Sequence, residues 1–454
     1  MGATLAQITA LLCSAAILLM GNGLQSTLLP LRAQIQTFST IDIGILGSAY
    51  YSGFAAGCFF APYLVRRVGH IRCFAAMVAI ASTAPLAHSL FPLPGLWWVV
   101  RGLSGFCLAA LFMIIESWLN EKATNENRGV VFSTYTIINL TVMTLGQLMI
   151  NIYPPGSFAL FALASMLVSL AAVPLALTKA SAPTPIQTVK IRLFYLFSLS
   201  PIGAVGALLV GAQQGAFWSM APVFAERIGL DTFFITLFMS LTVLGGALGQ
   251  WPLGRLSDRL DRRHVLIGAA ALAAAIGIAI RFNTPTIGHG ILVFAMLYGI
   301  TSFPLYSICA AHMNDHVKDG GFVEASSGLL LLFAGGAVAG PLIVAPLMRY
   351  FNPYALFSFT AAAQTLLVLF ALYRLRARAS VPEDMRSRFV DALRDSATVT
   401  AFTPEDGQDE DTPSTPLAEE DPQSEAPKAV PTQPEDAPAS ADGTEDSAGE
   451  PEKS

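Results

Sequence analysis

Arg101 and Glu116 stand fifteen residues apart inside a single apolar stretch of this sequence. An arginine keeps its proton, so in such a place it must meet a carboxylate, an anionic solute or water, unless its stem snorkels to a nearby face. A partly buried carboxylate has two possible uses: to carry a coupling proton, or to pair with a neighbouring loop arginine. On one helix the two groups would lie roughly 22 Å apart, too far for a direct pair. Other polar side chains recur at helical spacing. Asn22 and Gln25 are three apart and share a face, with Gly21 and Gly23 beside them. Gln213 and Gln214 pair at i, i+4 with Phe217 and Trp218, and Tyr298 and Tyr306 bracket Pro304. Amides and aromatics of this kind suit a neutral, aromatic or amphiphilic solute, and the arginine adds an anion contact. Asn139, Gln147 and Asn151 also fit hydrogen bonds that pack one helix on another.

The elements that must hold these groups are long and apolar. The chain is 54% hydrophobic and 13% charged, against roughly a quarter charged in soluble proteins. Twelve apolar runs are long enough to cross a hydrocarbon layer about 30 Å thick. They begin near Leu5, Ile41, Ile71, Gly95, Gly129, Phe158, Leu193, Thr232, Val265, Gly288, Val323 and Pro353. Backbone groups cannot stay unpaired in lipid, so each run is expected to be a helix. The expected fold is therefore an all-α integral membrane protein of twelve transmembrane helices. The five cysteines lie in or beside apolar runs and are expected to pack, not to pair or bind metal. The first run lacks a basic leader and a small-residue cleavage site, so it is expected to be a retained helix.

Charge sets the orientation. Alternate connections on one side, with the stretch that follows the last run, carry sixteen lysines and arginines, among them Arg66, Arg128, Arg255 and Arg259; the opposite connections carry Arg32, Arg227, Arg281 and Arg349. The positive-inside rule then puts both termini in the cytoplasm. The longest interior polar connection, residues 179–192, separates a six-helix half at 1–178 from a second at 193–378. Residues 379–454 form an acidic extension. From 404 onward it holds 16 acidic groups against Lys428 and Lys453, a net of −14, in a chain whose total is −5. So polar a segment cannot bury enough apolar surface to offset its ordering entropy, and it is expected to be largely disordered. One short amphipathic helix over 383–396 is compatible with the pattern.

Between two of the apolar runs lies Gly254-Arg255-Leu256-Ser257-Asp258-Arg259-Leu260-Asp261-Arg262-Arg263. It resembles the signature loop of the major facilitator superfamily, Gly-x-Leu-x-Asp-Arg-x-Gly-Arg-Arg, with Asp261 in place of the second glycine. An echo at Pro62-Tyr63-Leu64-Val65-Arg66-Arg67-Val68-Gly69 occupies the matching place in the first half, with Arg66 where the family has aspartate. Arg101 with Gly105 resembles a second family signature on helix four. Glu116-Ser117, Asn127-Arg128-Gly129, Arg66 and the run from Gly249 to Leu256 resemble the YcaD-like branch. The resemblance covers about residues 5–375.

That resemblance implies two pseudo-symmetric halves with a site between them near the midplane, lined by helices one, four, seven and ten. Asn22, Gln25, Arg101, Gln213, Gln214, Phe217, Trp218, Tyr298 and Tyr306 are the expected pathway residues. It also implies a cytoplasmic latch in which Asp258, beside Gly254 and Arg259, pairs with Arg128. Pseudo-symmetry suggests a second, charge-swapped latch between Arg66 and Glu324. Glu116 is the candidate for coupling.

The expected function is secondary active transport of a small organic solute by alternating access, proton-coupled, with export favoured over uptake. Facilitated diffusion, or a non-transporting sensor that signals through the acidic tail, is the alternative. No phosphate-binding Gly-x-x-x-x-Gly-Lys loop points to ATP, and no nucleophile–base–orienter constellation points to an enzyme. No cofactor, metal or nucleic acid is expected. The expected partners are the solute, the bilayer and protons, with the chain a monomer. His312 and His316, i, i+4 near the inner face, are expected to be solvated.

Overall fold

The computed structural model describes residues 2–122, 128–177, 193–287, 290–317 and 322–376. The side chains of some helix-end residues, Arg128 and Glu324 among them, lie outside that description, as do all residues of the acidic tail. The described residues belong to one compact unit.

The helices are α1 (Gly2–Ile35), α2 (Thr40–Val68), α3 (His70–Leu90), α4 (Pro94–Lys122), α5 (Arg128–Leu148), α6 (Phe158–Leu170), α7 (Ala172–Ala176), α8 (Leu193–Leu199), α9 (Pro201–Arg227), α10 (Thr232–Arg259), α11 (Arg262–Ile287), α12 (Ile291–Ser302), α13 (Leu305–Asn314), α14 (Phe322–Tyr350) and α15 (Ala355–Leu375). Their starts follow the apolar runs closely. The exceptions have local causes. The run from Leu193 is broken at Ser200, whose side chain caps α9 by accepting from the Gly203 amide at 3.0 Å, with Pro201 at the first helical position. The tenth run is broken at Phe303-Pro304, because proline has no amide to continue the ladder.

Eleven helical spans are long and apolar enough to cross a membrane among the described residues. Helix α9, at 27 residues, is long enough to be another. It falls short in apolarity because Gln213 and Gln214 interrupt its middle.

The same helix pairings occur twice. In the first half α1 packs on α5 and α2 on α4; in the second α9 packs on α14 and α10 on α12. Each pair is drawn together by glycine. A Cβ on Gly23 would strike Met143 of α5, and one on Gly53 would strike Gly102 of α4. In the second half, a Cβ on Gly215 would strike Ala337 of α14, and one on Gly249 would strike Ile300 of α12.

The two ends of the bundle are packed differently. At the end away from Arg66 and Arg255, one apolar cluster runs through both halves, from Leu28, Leu46 and Phe161 to Phe224, Phe238 and Phe357. At the basic end the described residues form an N-half cluster around Leu108 and Trp118 and two C-half clusters around Leu305 and Met313. Partly buried Leu330 of α14 reaches the N-half cluster there.

Candidate functional site

Arg101 enters α4 two turns after its start and does not snorkel outward. Its guanidinium lies over the Tyr50 ring of α2, 4.2 Å from the centroid, and the residue is 8% exposed. The close α2–α4 crossing at Gly53 brings Tyr50 and Tyr51 to this level. Among the described residues Arg101 forms no hydrogen bond or ion pair, and its Nη1 is buried without a partner. Asn22 of α1 reaches the Tyr50 hydroxyl, and its own Oδ1 is buried and unpartnered. Gln25, one turn along, is buried, and its Nε2 is 3.4 Å from the Gly21 carbonyl. His88 of α3 stands near the arginine, edge-on to Trp97 with centroids 4.9 Å apart. Tyr50, Tyr51 and His88 are thus components of this site that had no motif to mark them.

Glu116 is buried nearer the basic end of the same helix. Tyr135 of α5 donates its hydroxyl to Glu116 Oε1 at 3.2 Å. Cys58 of α2 is a further neighbour.

In the C-half, Gln213 is the hub of a buried network. Its Oε1 accepts from Tyr298 Oη at 2.7 Å, Ser302 Oγ at 2.9 Å and Gln364 Nε2 at 2.9 Å. Gln364 Nε2 also reaches Ser302 Oγ at 3.0 Å. Phe217, one turn on, stacks on Tyr298 with centroids 5.5 Å apart. Gln213, Phe217 and Tyr298 therefore come together where α9 meets α12 and α15. Gln214 and Trp218 take another face of α9: both are half-buried, and Trp218 packs on Phe303. Tyr306 is separate again, edge-on to Phe333 of α14 at 4.9 Å.

The charged loop is mostly helix. Gly254 is buried in α10 and Arg259 is exposed at its end. Asp258 lies 3.6 Å from Arg262. Arg262 is almost fully buried and donates Nε to Asp315 at the end of α13, 2.8 Å away, and Nη1 to Ser257 Oγ at 3.2 Å. Asp261, the departure from the family glycine, opens α11: its carboxylate accepts from the Arg263 amide at 3.0 Å and from Arg263 Nη2 at 2.7 Å. Burial alone would raise that carboxyl, but the Arg263 hydrogen bonds and charge outweigh it and hold the group below the usual carboxylate range. The loop is thereby tied to α13 within its own half, through an aspartate that no motif marked.

The proposed latch partners Arg128 and Glu324 fall on side chains outside the described residues, and Arg66 is exposed. Of the two histidines expected to be solvated, His312 is not, and His316 is half-buried. His312 is buried with Nδ1 2.9 Å from Ser200 Oγ, and its ring stacks on His316 with centroids 4.8 Å apart. The break that makes Ser200 a cap also places it against α13.

Among the described residues, polar contacts join the halves from mid-membrane to the end opposite the basic loops. Ser48 Oγ donates to the Val338 carbonyl at 2.7 Å, and Arg227 Nη2 to Thr40 Oγ1 at 2.6 Å. Asn151 Nδ2 donates to Thr236 Oγ1 at 2.9 Å, and Ser240 Oγ to Gln147 Oε1 at 3.4 Å. Gln147 and Asn151 thus join α5 and the 3₁₀ turn Met149–Ile152 that follows it to α10.

The sequence model of the Major Facilitator Superfamily matches residues 11–201 and 203–404. The chain belongs to that superfamily. Superfamily members are transporters and no catalytic family is indicated, so the protein is a multi-pass membrane transporter by family. Among curated relatives, an MFS-type transporter of Enterobacter sp. (strain 638) is 25% identical over 80% of this chain and 94% of its own length. The MFS-type transporter YcaD of Escherichia fergusonii is 24% identical over 81% of this chain and 95% of its own. The solved nucleoside transporter NupG superposes with a TM-score of 0.69 at 13% identity, covering 83% of this chain and all of NupG. That superposition shows the superfamily fold and nothing about the solute.

Proposed function

We propose that this superfamily member is a secondary active transporter of the bacterial inner membrane. It moves a small organic solute by alternating access, coupled to protons, with export the favoured direction. Two six-helix halves, residues 1–178 and 193–378, rock about the solute, joined by 179–192, with both termini and the 379–454 tail in the cytoplasm. The observation that carries this reading is the unequal packing of the two ends among the described residues: one shared apolar core at one end and separate clusters at the other. Rocking requires an interface that can close at either end, and one end is closed here.

Glu116 carries the coupling proton. It is a buried carboxylate inside a span, hydrogen-bonded across α4 and α5 to Tyr135, so a change in its charge alters the contact between two helices of the N-half. Glu116→Gln should abolish accumulation driven by a pH gradient in proteoliposomes. It should leave solute exchange across the same vesicles intact, because exchange needs no net proton movement. Gradient-driven accumulation that survives in Glu116→Gln would remove Glu116 from the coupling role.

A further inference from the structure

We infer that Arg101, with Tyr50 and Asn22, is the binding subsite for the carboxylate of a monoanionic organic solute. The inference rests on the transport reading and narrows it to a class of solute.

The first observation is a charge without a counter-charge. Arg101 and Glu116 are the charges set deepest in the described spans, and both are on α4. Glu116 lies too far along the helix to pair with Arg101. Asp42, at the start of α2, is already committed: it accepts from the Ser39 amide at 3.0 Å and from Ser39 Oγ at 2.7 Å in the capping box. Arg101 therefore has the Tyr50 ring on one face and, among the described residues, no hydrogen-bond acceptor. A cation–π contact offsets part of the cost of burying a guanidinium and satisfies none of its N–H groups.

The second observation is that other unmet polar groups surround it. Asn22 Oδ1 and His88 Nε2 are also buried without partners. His88 Nδ1 donates to the Ala84 carbonyl at 2.7 Å, and its ring also faces the Trp97 backbone. A guanidinium fork near the unmet Asn22 amide oxygen suits a carboxylate whose neighbouring hydroxyl or amine can donate. The planar fork matches a carboxylate in two parallel hydrogen bonds, which a lysine could not supply. One cation at this depth neutralises one negative charge; a dianion would bring an uncompensated charge into the span. The groups come from α1, α2, α3 and α4, so the subsite belongs wholly to the N-half. The solute's remaining body is left to meet the C-half, where Gln214 and Trp218 are half-buried on α9.

The test uses the purified full-length protein in detergent, with acetate, lactate and benzoate as monocarboxylates. Succinate, inorganic phosphate, a neutral sugar and a lipophilic cation serve as comparisons. At least one monocarboxylate should raise the unfolding midpoint in a concentration-dependent way, with succinate and phosphate weaker. Arg101→Gln should weaken that binding about 10- to 100-fold. Arg101→Lys keeps the charge without the fork and should fall between; it also guards against a fold defect in the glutamine variant. The inference is overturned if no monocarboxylate shifts the midpoint, or if those that do act equally on Arg101→Gln. Flux in proteoliposomes separates the two levels. A neutral or cationic solute carried equally by wild type and Arg101→Gln ends the carboxylate assignment and leaves transport standing. A chain that carries none of the panel in either direction contradicts transport itself.

Discussion

At the residue scale, the buried polar groups divide into those that are spent and those that are available. Gln213 is spent: three donors converge on its Oε1, and its neighbour Phe217 is stacked on Tyr298. Gln213→Leu should leave the Tyr298 hydroxyl, Ser302 and Gln364 short of an acceptor. The expected loss of stability is about 1–3 kcal/mol for each group left unpaired, read as a drop in unfolding midpoint. Gln214→Leu, next along the helix and outside the network, should move the midpoint little and affect solute binding instead. Equal midpoints for the two variants would show that the Gln213 network does not hold α9. The i, i+4 amide–aromatic spacing on α9 was readable in the sequence. What the spacing could not show was that its two registers do different things, because Ser302 and Gln364 come from helices 89 and 151 residues away. Arg101 was legible for the opposite reason: a permanent charge in an apolar run needs an explanation wherever the chain folds. Its neighbours Tyr50 and His88 were not, since an aromatic in an apolar run reads as packing.

At the element scale, close helix approach does the work that loops do in a soluble protein. Helix α9 meets α14 through Gly211 and Gly215 on one side and Gly336 and Gly340 on the other, each facing partner backbone. A methyl group on Gly336 would meet the Leu208 carbonyl, which cannot yield as a flexible side chain can, whereas Gly335 faces open space. Gly336→Ala should therefore destabilise the folded protein. Gly335→Ala should be neutral, or stabilising by up to about 1 kcal/mol through helix propensity. Thermal unfolding of this adjacent pair checks the assignment, and equal effects would contradict it. Element starts were legible because hydropathy and proline mark them, and the Ser200 break escaped because a cap inside an apolar run looks like one more small residue. The signature loop was recognised as charged and short. Its link to Asp315 was not visible, since an aspartate beside a histidine pair reads as a solvated turn.

At the scale of the whole molecule, the pairings α1–α5 and α2–α4 recur as α9–α14 and α10–α12, and in the proposed cycle each such half moves as a body. The hydrophobic cluster that unites both halves at one end is the feature that rocking must break. Contacts between the halves such as Ser48 with Val338 and Thr40 with Arg227 would part with it. The most direct measurement is pulsed electron spin resonance on a cysteine-free chain carrying labels at exposed positions. One pair, Ile35 and Tyr350, reports the closed end; the other, Arg66 and Leu260, reports the basic end. Alternating access predicts that solute or a pH change populates a second state in which the Ile35–Tyr350 distance grows as the Arg66–Leu260 distance shrinks. A single distance for each pair under every solute and pH, or two pairs that widen together, would contradict it.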